Sequence, residues 1–264
     1  MNKYFLITKN TWAEVLTYRL NFVMWRLRVV LQLLTMYFLW FAILPQGISL
    51  HTYNQSQILT YILGTSLMSS IVIASRSYSV GEEINRGDLS NYLIKPINYF
   101  WYWFAKDLGD KAMNLAFSIS EIVLLFFILR PPLFIQSDPA YLFLALVSAL
   151  ISMIMYFFLN LLLGFTGFWS PETWGPRFIF MIVLTFAAGG LFPLDILPPN
   201  IYSIIEKLPF TYLLYFPLKT YLGHFTIDQI ITGLMISLIW AIIFYFAAKI
   251  TWRKGLKIYT AQGR

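Results

Sequence analysis

Hydrophobic positions in this chain form long runs rather than stripes. The runs lie near Phe22–Leu44, Ile58–Ser79, Ala112–Leu129, Tyr141–Trp169, Phe178–Leu191 and Ile230–Trp252. A helix rising about 1.5 Å per residue needs about 20 mainly apolar residues to cross the hydrocarbon of a bilayer. The runs therefore predict an all-α integral membrane protein with six transmembrane helices. The third run is open to an earlier start, and the fifth is the shortest.

Three stretches break the pattern and carry the organisation. Before the first run, Phe5, Trp12, Val15 and Leu16 share one helical face, while Lys3, Asn10, Glu14 and Thr17 lie elsewhere on the wheel. Residues 1–20 thus read as an amphipathic helix lying in the membrane interface. Arg26 and Arg28, near the start of the first run, are placed to snorkel to headgroups. Residues 81–98 are polar and read as a short helix or turn with Leu89, Leu93 and Ile94 on one side, broken by Pro96. The aromatic string Asn98–Phe104 then suits a membrane interface. Residues 192–225 are apolar but cut by Pro193, Pro198, Pro199, Pro209 and Pro217. They predict two short helices, near Ile201–Leu208 and Tyr212–Tyr221, in an outer re-entrant hairpin before the last span. No separate soluble domain, internal repeat or low-complexity tract is visible, so residues 1–264 form one transmembrane domain.

Composition agrees. The chain is 59% hydrophobic and 12% charged, with a net charge of +7. A soluble domain needs about twice that share of charge. Were the chain soluble, the basic balance would suggest nucleic acid. Here the better explanation is basic cytoplasmic loops. With six spans, sixteen of the nineteen Lys and Arg fall on the side of both termini, and only Arg130, Lys207 and Lys219 on the other. The positive-inside rule then places both termini in the cytoplasm. The first residues lack a short apolar core with a small-residue cleavage site, so the first run is expected to persist as a span.

Several chemistries find no residues to carry them. Cysteine is absent, which removes disulfides, thiolate metal sites and cysteine nucleophiles. No phosphate-binding loop of the G-x-x-x-x-G-K-[ST] type occurs, so the chain should not hydrolyse ATP by itself. His51 and His224 each fall in an outer loop without a ligand cluster. No nucleophile, base and orienter form a set.

The residues that remain carry a resemblance. Glu82-Glu83-Ile84-Asn85-Arg86-Gly87-Asp88-Leu89, followed by Leu93 and Lys95-Pro96, resembles the coupling segment in the permease subunit of ABC type-2 exporters. Gly189-Gly190-Leu191-Phe192-Pro193-Leu194-Asp195-Ile196-Leu197-Pro198 resembles the junction that follows that family's fifth span. Leu208-Pro209-Phe210 and Tyr215-Phe216-Pro217 fit the run into the sixth. The resemblance spans essentially the whole chain and is similar to a poorly characterised bacterial subgroup. It implies a translocation path formed with a second permease, a copy or a paralogue. It also implies separate ABC ATPase subunits that hold ATP and Mg and close on the nucleotide, with no cofactor in this chain. Glu82, Glu83, Arg86 and Asp88 would pair with the ATPase, Leu89 and Leu93 would fill its cleft, and Gly87 belongs to the same coupling motif. The substrate class that follows is amphipathic or lipophilic: a drug, peptide, lipid or lipid-linked glycan. The alternative reading of the charges is a solvated loop that only sets topology.

Glu121, inside the third run, is costly in hydrocarbon. It either lines the path and attracts a cationic substrate, or pairs with another span and holds packing. Asn114 and Asn160 are path candidates that equally suit helix–helix hydrogen bonds. The inner stretch Phe168–Gly175 is either a plain connector or a second ATPase contact. The rivals are an ion-coupled secondary transporter, which should show intramembrane charges at broken helices, a membrane-embedded enzyme, and a scaffold without transport.

Overall fold

The computed structural model describes residues 3–17 and 19–260. The side chains of Val15 and Leu16, counted above on the apolar face, and Arg264, counted among the basic residues, lie outside what is described. Among the described residues the regular elements are all helices, joined by short irregular connections, with no strand. In chain order the helices are α1 (Lys3–Thr17), α2 (Arg19–Ile43), α3 (Gln55–Met68), α4 (Val80–Asn85), α5 (Ser90–Leu93), α6 (Tyr99–Leu129), α7 (Pro139–Phe165), α8 (Trp174–Ala187), α9 (Pro199–Ile205), α10 (Tyr215–Tyr221) and α11 (Ile227–Ile258). A π-helical turn, Ser69–Ile73, extends α3, and 3-10 turns lie at Arg76–Ser79, Thr166–Phe168, Leu194–Ile196 and Pro209–Tyr212.

Among the described residues, five helical stretches are long and apolar enough to cross a membrane: Arg19–Ile43, Gln55–Ile73, Tyr99–Leu129, Pro139–Phe168 and Ile227–Ile258. The sixth expected span is α8, with 14 residues, which rise only about 21 Å at 1.5 Å per residue. The third span begins earlier than its apolar run. Asn98 caps α6 by accepting bonds from the backbone N–H groups of Phe100 (3.0 Å) and Trp101 (3.2 Å). The aromatic string is therefore the first two turns of a 31-residue helix.

Two parallel helix pairs frame the bundle. Thr8 Oγ1 donates to Ala105 O (2.9 Å) and Trp12 Nε1 to Gly109 O (2.7 Å). Farther along, the Phe22 and Phe117 rings meet at 4.9 Å and Arg26 meets Glu121. Successive contacts thus advance together, and α1 followed by α2 runs alongside α6. In the same way Tyr141 bonds Phe225 O, Phe158 meets Tyr245, and Phe165 meets Trp252, so α7 and α11 run in one direction. Thr11 of α1 is buried against α6, while Phe5 and Trp12 remain substantially exposed.

The core divides in two. One cluster joins α2, α3, α10 and the first halves of α7 and α11. The other joins α4, the start of α6 and the last turns of α7 to Ala248 of α11. We call the ends they occupy the cap end, which carries residues 192–225, and the basal end, which carries α1, α4, α5 and the C-terminal turns of α11.

Candidate coupling site and its connections

α4 and α5 are short because the chain between them turns at Gly87, whose φ is +81°. Their inner face is fixed from four directions. Gly167 faces Gly81 so closely that a Cβ on Gly167 would lie 2.7 Å from Gly81 O. A Cβ on Gly164 would lie 2.8 Å from the Val80 Cβ. Only glycine at these positions lets α4 seat on the end of α7, and Val80 and Ile84 fill the joint. Tyr259, just past α11, donates its hydroxyl to Gly87 O (2.7 Å) and accepts from Ser90 N (3.2 Å). Asn85 Nδ2 donates to Pro171 O (2.9 Å), and Lys3 Nζ to Pro96 O (2.8 Å). The segment thus touches α7, α11, the α7–α8 connection and the N-terminal helix.

This arrangement divides the sequence-derived residues. Glu82 and Arg86 pair with each other one turn apart on the exposed side, with Asp88 beside them. Leu93 is 47% exposed and Ile94 83%. Leu89, expected on that same exposed face, is instead fully buried in the basal core. The turn at Gly87 rotates it inward, so it packs its own chain. Glu83 also faces inward. Tyr99 Oη donates to its Oε2 at 2.7 Å, and burial holds its carboxyl above the ordinary carboxylate range against the opposing pull of that bond. A helical wheel continued through a left-handed residue assigns Leu89 the wrong face.

Behind α4 a polar network crosses the bundle. The π turn ends α3 and leaves carbonyls at Val72 and Ala74 without helical donors. Buried Lys111 of α6 fills this gap. Its Nζ donates to Val72 O (2.9 Å) and to Ala74 O, and lies 3.3 Å from the buried Asp107 carboxylate. Asp107 Oδ1 accepts Arg76 N (3.0 Å), and Asp110 accepts Arg76 Nε (3.0 Å). Asn160 of α7 donates to Ser75 and Ser77 hydroxyls at 2.9 and 2.7 Å and accepts from Arg177 of α8 at 2.7 Å. Asn114 donates to Asp110 Oδ2 at 3.1 Å and faces Arg26. Arg26 forms a two-bond pair with Glu121, one arm at 2.8 Å. Arg26 is 6% exposed, so it does not snorkel: it turns inward to the Glu121 carboxylate. Glu121, Asn114 and Asn160 are all committed to interhelical bonds, the second of the two uses weighed for them. Arg26, Lys111 and Arg177, counted above as topological charges, also hold helices together.

The cap end has its own polar centre. Gly189 adopts φ +78°, with its N–H on Phe186 O and that of Gly190 on Thr185 O. These are the two bonds of a Schellman stop, which ends α8. Pro193 leads into the Leu194–Ile196 turn, Leu194 is buried, and Pro198 O accepts the first N–H groups of α9. Asp195 then meets Lys219 of α10 at 2.8 Å, and both its oxygens accept from Tyr53 Oη at 3.1 Å. Burial and the neighbouring carboxylate push the Tyr53 phenol up, so it stays a donor. Lys219 also donates to Tyr215 Oη (2.9 Å) and lies 4.5 Å from the centre of the Phe225 ring. The Asp195–Lys219 pair escaped sequence reasoning. The only signal was two carboxylates, Asp195 and Glu206, and two ammonium groups, Lys207 and Lys219, among the five prolines of an otherwise apolar hairpin, with nothing local to say which of them pair.

Long apolar helices with a charged network buried among them define a multi-pass membrane protein. Its sequence matches the family described as ABC-2 family transporter protein over residues 30–263, and the chain belongs to that family. It is therefore a transmembrane component of a transporter, not itself catalytic, of the kind that generally works with ABC ATPase subunits. Comparison with curated proteins gives no match.

Proposed function

We propose that this chain is the membrane subunit of an ATP-driven exporter for an amphipathic or lipophilic substrate, and that α4 and α5 receive the ATPase. One observation carries this reading: Glu82, Arg86, Asp88, Leu93 and Ile94 form an exposed mixed strip on a segment whose other face is fastened to α6, α7 and the end of α11. A partner that moves the strip must move those helices, as a transmitted conformational change requires. ATP and Mg belong to the partner, because this chain offers no phosphate-binding loop.

In this reading the basal end and both termini face the cytoplasm of a bacterial inner membrane, and a second permease, a copy or a paralogue, completes the path. α8 makes the sixth crossing. Its shortfall against about 30 Å of hydrocarbon is met by tilt-free thinning or by backbone shielded within the cap hairpin. The hairpin re-enters from the outer side, with α10 buried against α3 and α7. An ion-coupled mechanism loses its main support, since Glu121 is neutralised by Arg26 rather than set at a broken helix.

The test is co-purification of an ABC ATPase from the host that expresses this chain. Wild type is expected to retain it, and E82A/R86A/D88A/L93A/I94A to lose it while keeping its melting temperature. Retention of the ATPase by that variant would exclude this strip as the docking face.

A further inference from the structure

At the basal end, α6, α7 and α11 pack through aromatic contacts but leave a hollow beside the α5–α6 connection. The hollow is a half-open cavity of about 700 Å³, within the usual range of small-molecule sites. Aromatic side chains make its walls, among them Tyr99, Phe157 and Trp252, with Tyr99 and Trp252 stacked at 4.5 Å. Its lining contains Lys249 and Arg253 and no carboxylate. The two cations stand one turn apart on α11. Neither has an ion-pair partner among the described residues; Lys249 rests only near the Tyr245 ring, at 5.7 Å.

The depth of the cavity follows from α11 itself. Residues 229–248 carry no charge, and this run ends at Lys249. Twenty residues of helix match the hydrocarbon thickness of about 30 Å. Lys249 therefore marks the level where acyl chains give way to headgroups, with Arg253 just beyond. The cleft runs from Phe157, Phe158 and Tyr245 on the hydrocarbon side of Lys249 to Tyr99 and Trp252 at the level of the two unneutralised cations, which suits one kind of occupant, with chains for the inner walls and an anion for the rim.

We propose that this cavity binds an anionic phospholipid from the leaflet at the basal end. Tyr92 and Leu93 of the coupling region form part of its lip, so the occupant lies against the segment assigned to the ATPase. The site is defined by this chain alone and is independent of the exporter reading.

The experiment uses the full chain in nanodiscs of phosphatidylcholine, into which phosphatidylglycerol with brominated chains is titrated while tryptophan fluorescence is read. Brominated phosphatidylcholine serves as the neutral control. Two cations worth about 1 kcal/mol each predict roughly thirtyfold preference for the anionic lipid. K249Q/R253Q should abolish that preference. K254Q/K257Q, which removes charge from the same helix end outside the cavity, should keep most of it. I154F, which fills the cleft from a position 40% exposed to the surroundings without adding a fluorophore that the assay reads, should weaken anionic-lipid quenching with both cations intact. Three results would overturn the proposal. One is an unchanged preference in K249Q/R253Q, and another is equal loss in K254Q/K257Q, which would mean diffuse surface charge. The third is displacement of the lipid by glycerol phosphate at matching concentration, which would mean a headgroup site without chains.

Discussion

At the cap end the Asp195–Lys219 pair is enclosed by Tyr53, Tyr215 and Phe225, whereas at the basal end the Glu82–Arg86 pair stands exposed on α4. The same two charge types do different work in the two places. A pair shut away from water is hard to break because either partner left alone is a buried charge. A pair in the open contributes little to stability and is free to exchange one partner for another. The cap end is thus built to keep one arrangement, and the basal end to hold a fixed inner face under an available outer one.

The sharpest way to break this contrast is to remove one member of the enclosed pair. K219A should cost about 3–5 kcal/mol by the usual penalty for an orphaned buried charge, seen as a large drop in the melting temperature of purified protein. Restoring neutrality with D195N/K219M should recover much of it. An unchanged melting temperature in K219A would show the cap to be solvated. Next in size is the glycine clasp. G167A places a methyl group against Gly81 O, and overpacking of this kind costs about 1–3 kcal/mol. Hydrogen exchange should rise in α4 while the cap stays protected. Smaller still is Y259F, which removes the hydroxyl that holds Gly87, worth about 0.5–1.5 kcal/mol for one hydrogen bond and read as faster exchange at residues 87–90.

The two ends also answer pH with opposite sign. Glu83, next to Tyr99, Tyr92, Lys106 and Asp88, has its carboxyl raised above 4.5 by burial. The folded state therefore holds this proton more tightly than the unfolded chain, and the basal end loses stability as pH rises from about 4.5 through the raised value. His224, stacked on Tyr53 and facing Lys219 and Asp195, is lowered below 6.5 by burial and by the Lys219 charge. Its contribution is present above 6.5 and is lost as pH falls through the lowered value. Local hydrogen exchange between pH 4 and 8 should show the cap loosening toward acid and the basal segment toward base. E83Q should flatten the second trend. Matching trends at both ends would contradict these assignments.

Much of this was legible in the sequence for a physical reason: a bilayer demands long uncharged helices, and prolines and glycines must end them. The hairpin at 192–225 shows it well. Helices expected near Ile201–Leu208 and Tyr212–Tyr221 occur at Pro199–Ile205 and Tyr215–Tyr221, displaced by the proline that opens each one's first turn or the turn before it. What was not legible depends on long-range partners. Nothing local tells that Lys111 serves the carbonyls at the end of α3, that Arg26 turns toward Glu121, or that Leu89 faces inward after one left-handed glycine. α8 was the weak point in both views, because its apolar run is short and the two glycines that stop it were already visible.

The central claim is that the exposed strip of α4 and α5 meets the ATPase while the cap end never does. Because the chain has no cysteine, single cysteines report cleanly. I94C and I204C, one exposed site at each end, should be labelled by a membrane-impermeant maleimide from opposite sides of the membrane. Bound ATPase should protect I94C several-fold and leave I204C unchanged. Labelling of both from the same side, or equal labelling of I94C with and without the ATPase, would contradict the account.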